Sequence, residues 1–245
     1  MASSSQVRRS RREQLEAQRL EAAKKERRNR IIFVGVGMLV LVGVIGVAIW
    51  GFINSASTAS GTVPPNANSA RNGIYLAPPV DGKPVFEEFI DYNCTHCKTA
   101  SLTLSTAMET AVANGEVNVI IHPMSFFADT SRNAALAATC ADTVGYFNQY
   151  HKQLFINQAT GFDSTTLMTT IPTAIGMTPS ELTSFQTCFN EQSTSKFVTD
   201  VQTYAGRQGI TSTPSFLLDG ENVGTKIWND QTLQYDPDLF RELIQ

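Results

Sequence analysis

Four consecutive residues, Cys94-Thr95-His96-Cys97, combine reactive side chains with a characteristic spacing. If a helix begins here, one turn brings the two sulfurs within disulfide reach, and the amides and dipole at its N-terminus stabilise a thiolate at Cys94. The spacing therefore predicts thiol–disulfide exchange, with Cys94 as the more exposed attacking sulfur and Cys97 as its buried resolving partner. A partly cationic ring at His96 would favour the reduced pair further, which makes the disulfide a stronger oxidant.

The surrounding sequence predicts the elements that this chemistry needs. Residues 83–91 have the apolar density of a buried strand, and 98–114 carry apolar residues at mostly helical spacing before a C-cap at Gly115. Residues 117–122 predict a second strand, which ends at Pro123. A strand, a helix and a strand within about forty residues form a βαβ unit with a parallel strand pair.

Glu88 is a candidate proton carrier, because it lies six residues before Cys94 on the first predicted strand. Burial on that strand would raise the pKa of its carboxyl group. Such a group could carry a proton to or from Cys97 during exchange.

The remainder of the domain divides into a helical block and a return to strand. Residues from roughly 130 to 206 lack strand runs and are predicted to be helical. Residues 213–220 predict a strand that runs into an Asp-Gly turn, 221–224 begin the return strand, and 236–245 predict a closing helix. This order indicates an α/β fold with a helical insertion.

Charge is unevenly distributed along the chain. Residues 1–30 hold ten Lys or Arg and four Asp or Glu, so the overall net charge of −3 leaves −9 for the rest. Phosphate binding needs clustered positive charge, so the acidic body argues against a nucleic-acid partner.

The N-terminal third predicts a membrane anchor. Residues 31–53 contain no charged side chain, and about 20 apolar residues suffice to cross a bilayer as a helix. The basic cluster that ends at Arg30 predicts a cytoplasmic tail and an exported domain at the cell membrane. Residues 54–72 are rich in Ser, Ala, Asn and Pro, which predicts a flexible linker before the domain at 73–245. The alternative is a signal peptide cleaved near residues 57–59.

The domain resembles the DsbA-like branch of the thioredoxin superfamily, a group of exported disulfide oxidoreductases. The resemblance rests on FEEFIDYNCTHC at 86–97, TSTPSF at 211–216 and the helical block between them. It covers residues 73–245, and it implies a thioredoxin fold with an inserted helical domain and protein disulfide oxidoreductase activity. One departure affects the expected potential, because the best-known oxidants of the family have Pro where this chain has Thr95.

The resemblance also implies roles for particular residues and partners. Pro214 is expected to be cis and to pack against the active disulfide, and Thr213 and Thr95 are expected to contact an extended substrate segment. The implied substrates are unfolded exported polypeptides with free thiols. The implied reoxidant is a quinone-linked membrane protein of the DsbB or VKOR type. We expect no cofactor and no metal.

Cys140 and Cys188 lie in the predicted helical block. In an exported chain with an even number of cysteines, they are predicted to form a structural disulfide. The alternatives are two buried free thiols, or a relay that exchanges with the active pair.

Other interpretations of the remaining residues stay open. A zinc site at Cys94, Cys97 and His96 would need a second ligand cluster, and the chain has no second CxxC or HxxxH motif. A structural Cys94–Cys97 bridge, a reductase or isomerase, and a non-catalytic peptide-binding module are further alternatives. His122 is predicted to be a packed strand-end residue, and His151 to lie on a polar helix face without a role.

Overall fold

The computed structural model describes residues 61–245. The predicted cytoplasmic tail, the predicted transmembrane helix and the first residues of the predicted linker lie outside this range. Among the described residues, none of the helices combines the length and apolarity needed to span a bilayer.

A five-stranded mixed sheet forms the centre of the domain, in the order β1-β3-β2-β4-β5. Strands β2 and β3 run parallel, whereas β4 pairs antiparallel with the other edge of β2. Because β2 lies between two partners, its residues from Phe86 to Ile90 are buried, and these include the charged side chains Glu87 and Glu88. The strands are β1 (Ile74–Tyr75), β2 (Val85–Ile90), β3 (Asn118–Pro123), β4 (Ser215–Leu218) and β5 (Glu221–Asn222).

The helices follow one another and the strands along the chain in the order that the sequence predicts. Helix α1 connects the parallel strands β2 and β3, so the βαβ unit forms as predicted, and α2 to α6 form the helical block. A 3₁₀ turn at Gln158–Thr160, a π-helical turn at Thr166–Thr170 and a small hairpin complete the structure. The helices are α1 (Thr95–Ala113), α2 (Ala128–Asp142), α3 (Phe147–Ile156), α4 (Ile171–Ala174), α5 (Pro179–Asn190), α6 (Ser195–Arg207) and α7 (Pro237–Leu243), and the hairpin strands are β6 (Trp228–Asn229) and β7 (Gln234–Tyr235).

The N-terminal strap, residues 61–73, differs from the sequence prediction. Its residues up to 72 were predicted to be a flexible linker, yet they fold against the domain. The backbone and side-chain nitrogens of Asn66 donate to Asp142 at 2.9 and 2.7 Å, and the Thr62 amide donates to the Ser193 carbonyl at 2.8 Å. Asn72 is buried at the end of the strap. Specific polar bonds fix this segment where composition alone predicted none.

A buried histidine connects the strap to the sheet. Nδ1 of His122 lies 2.6 Å from the Asn72 carbonyl oxygen, and Nε2 lies 2.8 Å from Oε2 of Glu87. A carbonyl oxygen only accepts, so Nδ1 donates to Asn72, and Nε2 lies against the Glu87 carboxylate. The Tyr204 hydroxyl donates to the same carboxylate at 2.9 Å, and the imidazole stacks on Phe89. His122 is thus a packed strand residue, as predicted.

Cys140 and Cys188 are joined by a disulfide that links α2 to α5, with an S–S distance of 2.01 Å. Both residues are buried. The bridge therefore links two helices of the helical block and does not connect the block to the sheet.

Candidate active site

Cys94 is the N-cap of α1, and both residues of the CxxC pair are free thiols. The Cys94 backbone is extended, with φ −79° and ψ 118°, and its Sγ accepts a hydrogen bond from the Cys97 amide at 3.4 Å. Cys97 lies one turn later and is fully buried, whereas Cys94 retains 7% exposure. The Asp91 amide donates to Sγ of Cys97 at 3.5 Å. Capping and burial together make the two thiols chemically unequal.

The electrostatic environment separates the two thiols further. The hydrogen bond from the Cys97 side chain lowers the pKa of Cys94 to about 5, with help from backbone amides of Cys97 and His96, although partial burial opposes the change. Burial raises the pKa of Cys97, and its hydrogen bond to Cys94 raises it further. Near neutral pH, Cys94 is therefore the thiolate and Cys97 the thiol.

The loop that precedes β4 approaches the sulfurs from the opposite side. The Thr213–Pro214 peptide bond is cis. Sγ of Cys94 lies 3.4 Å from the Thr213 carbonyl oxygen, in a hydrogen bond that the thiol donates and the thiolate gives up. The buried Thr213 hydroxyl has no conventional hydrogen-bond partner, and it faces both sulfurs, where it lowers the pKa of each thiol.

Glu88 lies beneath the site with its side chain fully buried. Its Oε1 accepts a hydrogen bond from the Ser101 hydroxyl on α1 at 2.8 Å, whereas Oε2 has no partner. Burial raises the pKa of this carboxyl group to about 7, against the opposing effect of the Ser101 bond. Among the described residues no hydrogen bond joins Glu88 to Cys97.

The turn between β2 and α1 is anchored to the helical block through Asp91. One carboxylate oxygen accepts from the Asn93 amide and the Ser131 hydroxyl, both at 2.8 Å. The other accepts from the amides of Phe126 and Phe127. These four donors satisfy the hydrogen-bonding capacity of a carboxylate that is removed from water. Asp91 therefore fixes the strand end that leads into Cys94.

Helix α3 contacts the same turn from another side. The Tyr92 hydroxyl lies 3.1 Å from Nδ1 of His151, and both side chains are buried. Burial lowers the pKa of His151 to about 3, so the ring is neutral. Its Nδ1 accepts a hydrogen bond from the Tyr92 hydroxyl. The prediction that His151 lies on a polar helix face is therefore wrong. Immediately after α3, the Gln158 side chain donates to the carbonyls of Tyr92 and Cys94.

The structure brings together most of the residues that the sequence singled out. Cys94, Cys97 and Thr213 lie together, Pro214 follows Thr213 through the cis peptide bond, and Glu88 is buried on β2. Thr95 and His96 are exposed on the first turn of α1. His96 acts on Cys94 through its backbone amide, which is a different contribution from the predicted imidazole charge.

Three residues near the site were missed by sequence reasoning: Asp91, His151 and Gln158. Asp91 had a usable signal, because it is a charged residue between an apolar strand and the CxxC motif. The roles of His151 and Gln158 depend on contacts with residues about sixty positions away in the chain, and no local pattern marks them.

Comparison with known proteins places this site in a family. A family model described as thioredoxin matches residues 80–235, and a second, described as an inhibitor of host cell division protein domain, matches residues 9–59. No curated protein is matched by the sequence.

Solved structures of thiol-disulfide oxidoreductases share the fold at low sequence identity. MdbA from Actinomyces oris is 15% identical with a TM-score of 0.63, covering 76% of this chain and 90% of its own. MdbA from Corynebacterium diphtheriae is 17% identical with a TM-score of 0.59, covering 78% and 98%. Reduced DsbA from Mycobacterium tuberculosis is 16% identical with a TM-score of 0.54, covering 71% and 90%.

Proposed function

Because the chain belongs to the thioredoxin family, we propose that it is an extracytoplasmic thiol–disulfide oxidoreductase that introduces disulfides into exported proteins. The observation that carries this proposal is the opposed pKa shift of the two thiols, downward to about 5 for Cys94 and upward for Cys97. A stabilised Cys94 thiolate stabilises the reduced enzyme, and an enzyme whose reduced form is stabilised is a strong oxidant.

The first chemical step is attack by a substrate thiolate on Sγ of Cys94 in the oxidised enzyme. The Cys94–Cys97 bond breaks, a mixed disulfide forms, and Cys97 leaves as a thiolate. Cys97 then takes up a proton because its buried environment disfavours the charge. Glu88, with a pKa of about 7, is the proposed proton source.

The second step releases the oxidised substrate. Another substrate thiolate attacks the substrate sulfur of the mixed disulfide, and Cys94 leaves with the electron pair. Its low pKa makes Cys94 a good leaving group. The substrate has lost two electrons, which the enzyme now holds as the reduced Cys94–Cys97 pair.

The proposal assigns the remaining predicted residues to binding and support. Thr213, Pro214 and Thr95 would contact an extended substrate segment, whereas Cys140 and Cys188 would support the helical block. On reoxidation two electrons would pass to a quinone-linked membrane partner of the DsbB or VKOR type, and Cys97 would release its proton.

The proposed location follows from the N-terminal sequence. Residues 1–30 would be cytoplasmic and 31–53 would cross the bilayer, so that the catalytic domain lies outside the cytoplasm at the cell membrane. The basic cluster before an uncharged apolar run supports this topology. The names of the solved proteins that share the fold, which are thiol-disulfide oxidoreductases, support the chemistry.

Two cysteine variants test the mechanism in the full-length chain. The oxidised enzyme is mixed with a reduced model polypeptide, and substrate thiols are counted over time. Cys94→Ser is expected to abolish oxidation, because no sulfur remains to be attacked. Cys97→Ser is mixed instead with a polypeptide that contains a disulfide, and Cys94 is expected to attack it and remain trapped as a mixed disulfide, visible on non-reducing gels, because no second sulfur can displace it. Oxidation retained by Cys94→Ser, at a rate near that of the parent, would rule out the mechanism.

A further inference from the structure

The Gln158 side chain joins two carbonyl groups on either side of Asn93. Its amide nitrogen donates to the Tyr92 carbonyl at 2.6 Å and to the Cys94 carbonyl at 2.9 Å. A primary amide has two N–H groups, so one side chain satisfies both acceptors. The two carbonyls belong to the turn that leads from β2 into the N-cap residue Cys94.

The Cys94 carbonyl governs the geometry on which the thiolate depends. Its direction fixes the plane of the Cys94–Thr95 peptide, and hence the extended ψ of 118° at the N-cap. That backbone conformation lets Sγ of Cys94 accept from the Cys97 amide, as N-cap side chains do. Within helix α1, only the Lys98 amide, at 3.1 Å, also donates to this carbonyl. Gln158 supplies the donor from outside the helix.

The position of Gln158 is in turn fixed by α3. It begins the 3₁₀ turn that directly follows this helix. Two turns earlier on α3, the neutral His151 ring contacts the Tyr92 hydroxyl. The inserted helical block therefore contacts the residues before Cys94 through a side-chain pair and through the Gln158 amide.

We propose that Gln158 is a positioning residue, which holds the Cys94 peptide in the N-cap geometry that stabilises its thiolate. This inference rests on the proposed oxidoreductase function and adds a residue of the helical block to the control of its reactivity. Gln158 donates to backbone alone, so it acts on the sulfur through Cys94 conformation rather than by touching substrate.

The test uses two variants of Gln158 in the reduced, full-length chain. Gln158→Leu removes both donors, and Gln158→Glu keeps the shape but presents an ionised carboxylate to two carbonyl oxygens. Thiolate formation is followed by ultraviolet absorbance against pH, with Cys94→Ser as the blank. Gln158→Leu is expected to hold about fivefold less thiolate near the parent midpoint, the order expected from one net hydrogen bond. Gln158→Glu is expected to shift the midpoint upward by more, because it adds a negative charge near the sulfur.

Gln186→Leu is the matched control for a purely structural effect. Gln186 donates from its side-chain amide to the Met168 carbonyl at 3.0 Å, inside the helical block. Its loss should lower thermal stability to a similar degree and leave the thiolate midpoint unchanged.

Two outcomes separate the inference from the function on which it rests. If both Gln158 variants titrate as the parent does, positioning by Gln158 is disproved, whatever their stability. If Cys94 of the parent forms no thiolate below about pH 7, it ionises like an ordinary cysteine, and the proposed oxidant function is itself disproved. Should Gln158→Leu not fold, Gln158→Ala, which also removes both donors and adds no charge, takes its place in this comparison.

Discussion

At the scale of single residues, reactivity arises because two chemically identical thiols have different environments. Cys94 caps a helix and receives hydrogen bonds from Cys97, whereas Cys97 is buried below it. The Thr213 hydroxyl lowers the pKa of both thiols, so it does not create the difference. Helix capping and burial create it, and both follow from the spacing of the cysteines and from the strand that precedes them.

Glu88 should make the stability of the reduced protein depend on pH. Its pKa is about 7 in the fold and 4.5 for an unperturbed carboxyl, so the folded state binds more protons between these values. Stability then falls as pH rises from about 4.5 to 7, by roughly 3 kcal/mol in total. Glu88→Gln removes this loss. We therefore compare the free energy of unfolding of Glu88→Gln with that of the parent at about pH 4.5 and at about pH 8. The difference is expected to shift in favour of the variant as the pH rises.

Urea denaturation of the reduced proteins at those two pH values measures this effect. Glu191→Gln changes an exposed carboxyl of the same type and serves as the control for the substitution itself. If Glu88→Gln and the parent lose stability in parallel as pH rises, the carboxyl group is not neutral in the fold.

At the scale of elements, the strongest periodic patterns were predictable and the shortest elements were not. The strand–helix–strand unit appeared from local sequence, because buried strands and amphipathic helices leave clear apolar patterns. Strand β1 and the β6–β7 hairpin have two-residue strands, too short for any alternation to be seen. The helical block spans α2 to α6, close to its predicted limits.

The disulfide between α2 and α5 is expected to stabilise the helical block. It closes a loop with a sequence separation of 48 residues, and the chain-entropy model gives about 4 kcal/mol for a loop of this size. A Cys140→Ala and Cys188→Ala double variant should lose stability of this order in urea denaturation. Its Cys94 titration should stay at the parent midpoint, because neither residue contacts the active thiols.

Chemical labelling provides the companion observation. Iodoacetamide without reductant should modify Cys94 in the reduced native protein and leave Cys140 and Cys188 unmodified, as read by peptide mass. Labelling of either residue, or a double variant as stable as the parent, would contradict a structural bridge.

At the scale of the whole molecule, long-range polar contacts account for what the sequence did not reveal. The strap is held by Asn66 to Asp142, 76 residues apart, and His122 reaches Asn72 across 50 residues. Composition correctly indicated a polar segment but carried no information about such distant partners. The cysteine pair and Glu88 were predictable because each lies in a recognisable local pattern, whereas the roles of Thr213 and Pro214 were implied by the family resemblance.

Other long-range contacts hold the residues that precede the CxxC motif. The turn before Cys94 is held by Asp91 through α2 and by Gln158 and His151 through α3. The helical insertion is therefore part of the apparatus that sets the Cys94 geometry.

The reduction potential of the Cys94–Cys97 pair tests the central claim most directly. The full-length protein is equilibrated in glutathione buffers of defined ratio, and free thiols at both cysteines are trapped and counted. We predict a value near about −120 mV, at the oxidising end of the thioredoxin superfamily, because the Cys94 thiolate stabilises the reduced form. A value near about −270 mV, as in thioredoxin itself, would identify a reductant and contradict the proposed role as a disulfide donor.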